Sequence, residues 1–436
     1  MLETFRNAWK IEDLRKKILF TVLIIAIYRI GCAIPVPFVD ASYLSDIIGQ
    51  GGSMLGYLDM ITGGSFANAT IFALSITPYI NASIIINLLT IAIPALERLS
   101  KEGEPGKKKL AKITRYAAVG LAVFLAIAYY FMLRRSGGLK YSNMSTMSGW
   151  LSAAVIVSCF VAGACLIIWL SEQIDKKGIG NGMSLLIFVG IISRLPQAFA
   201  TGFAYLQLAM TGGKNIKYFF FIPIILVLAV LVVSFAIVLT EGERRLPVQY
   251  AKKVVGRKMY GGQNSYFPIK VNLTGVMPII FASSIISIPG VLKALFVTNK
   301  ESWLYGLLSF FDYNSLAYAI LYFMLIIGFN YFYVAVQYNP VEIANNLKRN
   351  NGAIPGIRQG KPTYEYIAKA ISKVTIIGAF FLAVVAILPI GLTAVTGVNI
   401  ALGGTSVLIV VGVALETVKT LEAHMTMRHH KGFLDM

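Results

Sequence analysis

From Val374 to Leu415 the sequence runs for 42 residues without a single charged side chain. One helix of that length would measure roughly 63 Å at 1.5 Å per residue, about twice the ~30 Å hydrocarbon core of a bilayer. The stretch must therefore be two membrane spans, and Pro389 with the pair Gly403 and Gly404 offers the break. The same ruler finds spans at 18–37, 71–94, 116–133, 150–170, 218–240, 271–292 and 316–338. Residues 183–206 make a tenth despite Arg194 and Pro196, because without them the loop charges fall on the wrong sides. Composition agrees: of 436 residues 57% are hydrophobic and 14% charged, against about 25% charged in a soluble domain. Cys32, Cys159 and Cys165 all lie in apolar runs, an odd set that makes no disulfide framework.

The charges then test the topology. With the N-terminus inside, 30 of the 39 Lys and Arg fall in inner segments and 8 in outer loops, with Arg29 inside the first span. That bias is a strong positive-inside signal and puts both termini in the cytoplasm. Residues 1–17 read as a retained cytoplasmic segment rather than a signal peptide, since the following apolar run is long and lacks a small-residue cleavage site. Residues 424–436 form the cytoplasmic tail. Two inner loops, 241–270 and 339–373, are both long and basic. Setting orientation needs only a few such charges, so these loops are expected to dock an acidic protein surface or ribosomal RNA.

Ten spans divide into five and five, here 18–206 and 207–423, and an odd-numbered half inserts its second copy upside down. The expected fold is an all-α integral membrane protein of two inverted five-helix halves. No enzyme constellation is present. His424, His429 and His430 sit in the tail without a ligand set, and no GxxxxGK[ST] exists, so no metal or cofactor is expected and ATP would be spent by a partner. Within the spans the main charges are Arg29 and Glu416, the first expected to pair with a carbonyl or helix end, the second to snorkel. An inverted-repeat secondary transporter shares the span count and stays open as the alternative, although it should carry more polar groups at mid-membrane.

The segment GGSMLGYLDMITGGSFANAT before the second span has an apolar piece too short to cross and no Lys or Arg from Phe38 to Thr70. It is expected to re-enter the bilayer from outside, which is tolerated where it fills a cavity within the protein.

Several blocks are more specific: GGSFANATIFALSITPYINASIIINLL, KEGEPGKKKLAKITRY, SEQIDKKGIGNGMSLLIF, NLTGVMPIIFASSII, PGIRQG and LGGTSVLIVV. In this order they resemble the SecY family, channel subunits of the bacterial protein translocase, over essentially the whole chain. Asn87 and Leu402 depart from the family pattern without touching the architecture. The resemblance implies two halves hinged around an hourglass pore with a lateral opening to lipid. It also implies that unfolded polypeptides cross the plasma membrane here and that hydrophobic segments leave sideways.

By residue type alone, an isoleucine in a membrane helix faces lipid or core. The resemblance singles out Ile76, Ile80, Ile187, Ile280 and Ile409 as a pore ring, a composition suited to a dewetted gasket. It implies a plug helix around 58–68, carrying Leu58, Met60, Ile61, Gly63, Gly64 and Phe66. A lateral gate would set Thr77, Asn81, Ser83, Ile84 and Asn87 against Ile279, Ser283, Ser284 and Ser287, whose small and polar side chains suit a seam with a few interhelical hydrogen bonds. The basic loops would dock the SecA motor or the ribosome through Arg244, Arg245, Lys252, Lys253, Arg257 and Lys258, and through Arg358 between Gly356 and Gly360. SecE and SecG, signal sequences, unfolded chains and the lipid bilayer complete the implied partners.

Overall fold

A computed structural model of the chain describes residues 2–40, 59, 62–141, 147–210, 217–250, 253–255, 258–260, 264–296, 303, 306, 308, 311, 315–396 and 404–431. The first half of the chain forms α1 (Leu2–Lys10), α2 (Glu12–Gly31), α3 (Thr77–Ala92), α4 (Pro94–Lys101), α5 (Glu104–Arg135), α6 (Met147–Lys177), α7 (Gly182–Ile192) and α8 (Leu195–Met210). The second forms α9 (Lys217–Glu241), α10 (Met277–Phe296), α11 (Leu316–Gln337), α12 (Pro340–Arg349), α13 (Lys361–Thr396) and α14 (Gly404–Lys431). Each expected span overlaps a helix, the fifth the broken pair α7 and α8, although α2 ends at Gly31 and residues 71–76 are turns ahead of α3. Among the described residues six of these are long and apolar enough to cross a membrane, and a seventh if α3 and α4 count as one. Of the other three, α2 carries charged residues in its first turns and Arg29 in its last, α14 carries them from Glu416 onward, and α10 is apolar over Met277–Gly290.

The breaks follow local chemistry. Ile93 precedes Pro94, whose ring pushes it out of the helical region to φ −109°, ψ 112°, and α4 leaves α3 at 101°. Between α6 and α7 the Asn181 side chain accepts from Met183 N and Ser184 N at 3.1 and 3.2 Å, while Asp175 Oδ1 accepts from Gly182 N at 2.7 Å. Ile179 N donates to Thr21 Oγ1 at 3.2 Å and so ties this turn to α2. Pro389 does not divide the long uncharged stretch. Helix α13 runs through it to Thr396, Thr393 Oγ1 bonding the Pro389 carbonyl at 2.9 Å, and the division falls at 397–403, outside the described residues.

Lipid tails are as apolar as leucine, so close van der Waals packing, rather than escape from water, drives these helices together. Ala118, Ala122 and Ala126 line one face of α5 at 0% exposure each. Ala118 meets Ala82 of α3 and Ile168 of α6, and Ala122 and Ala126 join Phe160 and Ala164 of α6 in a second cluster. On α6, Gly163 brings its Cα so close to the Ile71 carbonyl that a Cβ would lie 2.0 Å from the oxygen.

The helical architecture carries one addition, a small sheet built by the two long basic loops. Strand β1 (Glu243–Tyr250) pairs antiparallel with β4 (Asn264–Lys270), Leu246 opposite Phe267, and on its other edge with β5 (Gly352–Ala353), Gln249 opposite Ala353. Between them β2 (Lys253–Val255) and β3 (Lys258–Tyr260) form a hairpin. Leu246, Val248 and Ile269 bury the inner face of the sheet against Val334, Leu347, Ile367 and Ile371 from α11, α12 and α13. Ala8, Leu14, Ile179 and Leu421 form another cluster, which gathers the N-terminal helices, the α6–α7 turn and the end of α14 at one place.

Candidate functional site

Ile76 caps the N-terminus of α3, Ile80 lies in its first turn, and Ile187, Ile280 and Ile409 come from the middles or first halves of α7, α10 and α14. All five are buried, at 2–8% exposure, and all five belong to one apolar cluster. The structure therefore places all five, from four helices, in the same apolar cluster. Ile80, Ile187 and Ile280 also face a cavity of about 1020 Å³. Its walls run from Tyr79, Ser83 and Asn87 past Pro268 and Asn272 to Lys270, Glu416 and Lys419 beside the sheet. Glu416, which the structure puts in the middle of α14 rather than near a helix end, is among the residues that line it. Arg29 Nη1 is buried with no hydrogen-bond partner among the described residues.

Leu58, Met60 and Ile61 of the expected plug lie outside the described residues. Residues 62–69 are a chain of turns and not a helix, because Gly63 and Gly64 take left-handed φ values of 66° and 92°. Both glycines are required by close approach as well. A Cβ on Gly63 would stand 2.8 Å from the Gly190 carbonyl, and one on Gly64 would stand 2.9 Å from the Arg194 guanidinium. Phe66 turns sideways into spans three and four, its ring 4.6 Å from that of Tyr129, whose hydroxyl donates to the Phe66 carbonyl at 2.5 Å. Backbone bonds from Val36 N to Ala69 O and from Ile71 N to Ile34 O, each 3.0 Å, pin the segment to the chain leaving α2.

Arg194 interrupts the expected span 183–206 and is one of the eight basic residues assigned to the outer side. It stands instead at the break between α7 and α8, paired with the carboxylate of Asp59, and both side chains are largely buried. The signal for it was present in the sequence: one cation interrupting an apolar run, and one anion in a segment otherwise free of charge.

At the seam between α3 and α10, Ile84 and Ile279 are buried in the ring's own cluster, with Thr77, Asn81, Ser83 and Ser284 half-buried. The serine hydroxyls do not reach across. Ser283 Oγ donates to Ile280 O at 2.8 Å and Ser287 Oγ to Ser284 O at 2.6 Å, since a helical hydroxyl finds a carbonyl of its own preceding turn first. The interhelical bond runs elsewhere: Asn87 Nδ2 donates to Tyr333 Oη of α11 at 3.4 Å, and the Tyr333 ring lies 5.0 Å from that of Phe281 on α10.

In the basic loops, Arg244 and Arg245 are exposed on β1, Arg245 bonded to Glu243 at 2.7 Å. Lys253 and Lys258 belong to the β2–β3 hairpin, and Lys252 and Arg257 lie outside the described residues. Arg358 is exposed in the turn after β5, its carbonyl accepting from Thr363 Oγ1 at 2.8 Å. Sequence reading treated the two loops separately. Pairing of β1 with β5 joins them.

Comparison with known proteins adds three findings. A family model described as SecY matches residues 70–418. The protein translocase subunit SecY of Thermotoga maritima is 40% identical, covering 100% of this chain and 98% of its own length, and that of Streptomyces coelicolor is 40% identical over the full length of both. Among solved structures, one described as "The structure of a protein conducting channel" aligns with a TM-score of 0.65 at 18% identity, covering 94% of this chain and 92% of its own. Sec61 in the canine ribosome-channel complex aligns over the same shares with a TM-score of 0.62 at 18% identity.

Proposed function

Because this chain belongs to the SecY family, it is the channel subunit of a protein translocase, and we propose that the five-isoleucine cluster is the constriction through which the unfolded chain passes. The carrying observation is that Ile76, Ile80, Ile187, Ile280 and Ile409 share one buried cluster and that Ile80, Ile187 and Ile280 also line the cavity. Branched hydrocarbon side chains offer an ion neither charge nor carbonyl, so a closed ring resists wetting. They offer a passing polypeptide no partner to stick to.

The segment 58–68 is the plug. Its described part lies against α7 at Gly190, one turn beyond Ile187. The seam of α3 and α10 is the lateral gate. Its apolar contacts can be exchanged for those of a signal sequence or a membrane segment, which then leaves into lipid. The charge bias supports a plasma-membrane orientation with both termini in the cytoplasm, and the sheet of the two basic loops then faces the cytoplasm. That surface docks SecA or a ribosome, either of which supplies the energy, and the exposed flanks of the bundle meet SecE, SecG and lipid. The transporter alternative is set aside with the family assignment.

Cysteines placed at Ile76, Ile187 and Ile280 test the path. A stalled secretory chain should crosslink to all three, and the absence of adducts at every one would overturn it.

A further inference from the structure

One buried ion pair stands beside the plug, between residues 135 apart in sequence. Asp59 is 8% and Arg194 17% exposed at the side chain. The carboxylate divides its two oxygens. Oδ1 accepts from Ala67 N at 2.7 Å and so closes the plug's own turns, while Oδ2 pairs with Arg194 Nη2. Arg194 Nη1 donates in turn to Gln197 Oε1, which sets the plane of the guanidinium. Ile187 and Gly190 lie one turn apart on α7 and Arg194 follows at the break before α8, so Gly63 sits against Gly190 and Gly64 against the Arg194 guanidinium.

We propose that the Asp59–Arg194 pair is the latch that holds the plug closed, an inference that rests on the plug reading above. Arg194 acts through the plug and is a positioning residue for gating. Its guanidinium cannot shed its charge, and a buried ion left without its partner is strongly unfavourable. The closed state is thus favoured as long as both groups stay dry. Outward displacement of the plug carries Asp59 to water, and leaves Arg194 facing a lumen where water and the carbonyls of a passing chain replace the lost carboxylate. Opening therefore requires the lumen to be filled or wetted, which couples plug release to the presence of substrate.

The test uses the complete channel complex in planar bilayers, with export of a substrate carrying a defective signal sequence as a second readout that a misfolded protein cannot produce. Asp59→Asn and Arg194→Gln should each raise resting ion conductance by about tenfold or more, and each should export the defective substrate above wild type. Arg194→Lys, which keeps the charge, should restore much of the seal. The double variant strands no charge and should leak no more than the worse single variant. Conductance of both single variants at the wild-type level, while deletion of residues 58–68 leaks, overturns the latch and leaves the plug. Single-variant effects that multiply in the double variant also overturn it. A channel that stays sealed after the deletion overturns the plug reading and the latch with it.

Discussion

At Gly163 the backbone of α6 touches the carbonyl of Ile71, and the missing Cβ is what permits the contact. The neighbour is backbone and cannot rotate away, so Gly163→Ala must displace the turns that lead to Ile76. Overpacking of this kind costs about 1–3 kcal/mol, and thermal unfolding of the detergent-solubilised complex should show the variant melting below wild type. An equal melting temperature would mean that 71–76 is softer than its turn bonds suggest. The same site shows what a single residue type conceals. Isoleucine occurs throughout the spans, and nothing in Ile187 itself distinguishes a ring position from a lipid-facing one. Family motifs marked it, and burial with its four companions brought it into the core.

Among elements, the seam of α3 and α10 leans on a third helix. Asn87 reaches Tyr333 of α11, which in turn packs on Phe281 of α10. Interhelical hydrogen bonds of this kind contribute about 0.6 kcal/mol, close to a threefold change in an equilibrium. Asn87→Ala and Tyr333→Phe should each speed disulfide trapping of a translocating signal sequence at the gate by about that factor, and the pair together by no more. Additive gains would show that the two side chains act separately. The elements themselves were mostly legible, because hydrocarbon thickness is a one-dimensional ruler that sequence length can meet. Contacts between elements were not: the direction of the Ser283 and Ser287 hydroxyls and the pairing of Asp59 with Arg194 depend on three-dimensional proximity. The sheet lay between these cases. Leu246 and Val248 alternate with exposed neighbours in ERRLPVQY as a half-buried strand should, but a reading tuned to apolar runs of twenty passes over eight residues.

Across the whole molecule, charge and architecture coincide. The 30 basic and 15 acidic residues assigned to the inner side leave +15 there, against +3 outside. The N-terminal helices, the α6–α7 turn and the end of α14 gather in one cluster, and Arg244, Arg245 and Arg358 stand exposed in the joined loops. Arg358→Glu should cripple SecA-driven export in a vesicle translocation assay while the subunit still assembles in the membrane. Normal export by that variant would remove Arg358 from the docking surface. A salt titration should weaken partner docking to the wild type more steeply than to the variant, as exposed charges are screened. The shared sheet also has a mechanical meaning. Since β1 leaves α9 and bonds on one edge to β4, which leads into α10, and on the other to β5, which precedes α13, the loops form a single stiff handle. Under the docking proposed for these loops, a load placed on either one would pass through the β1–β5 pairing to the other and reach α10 through β4.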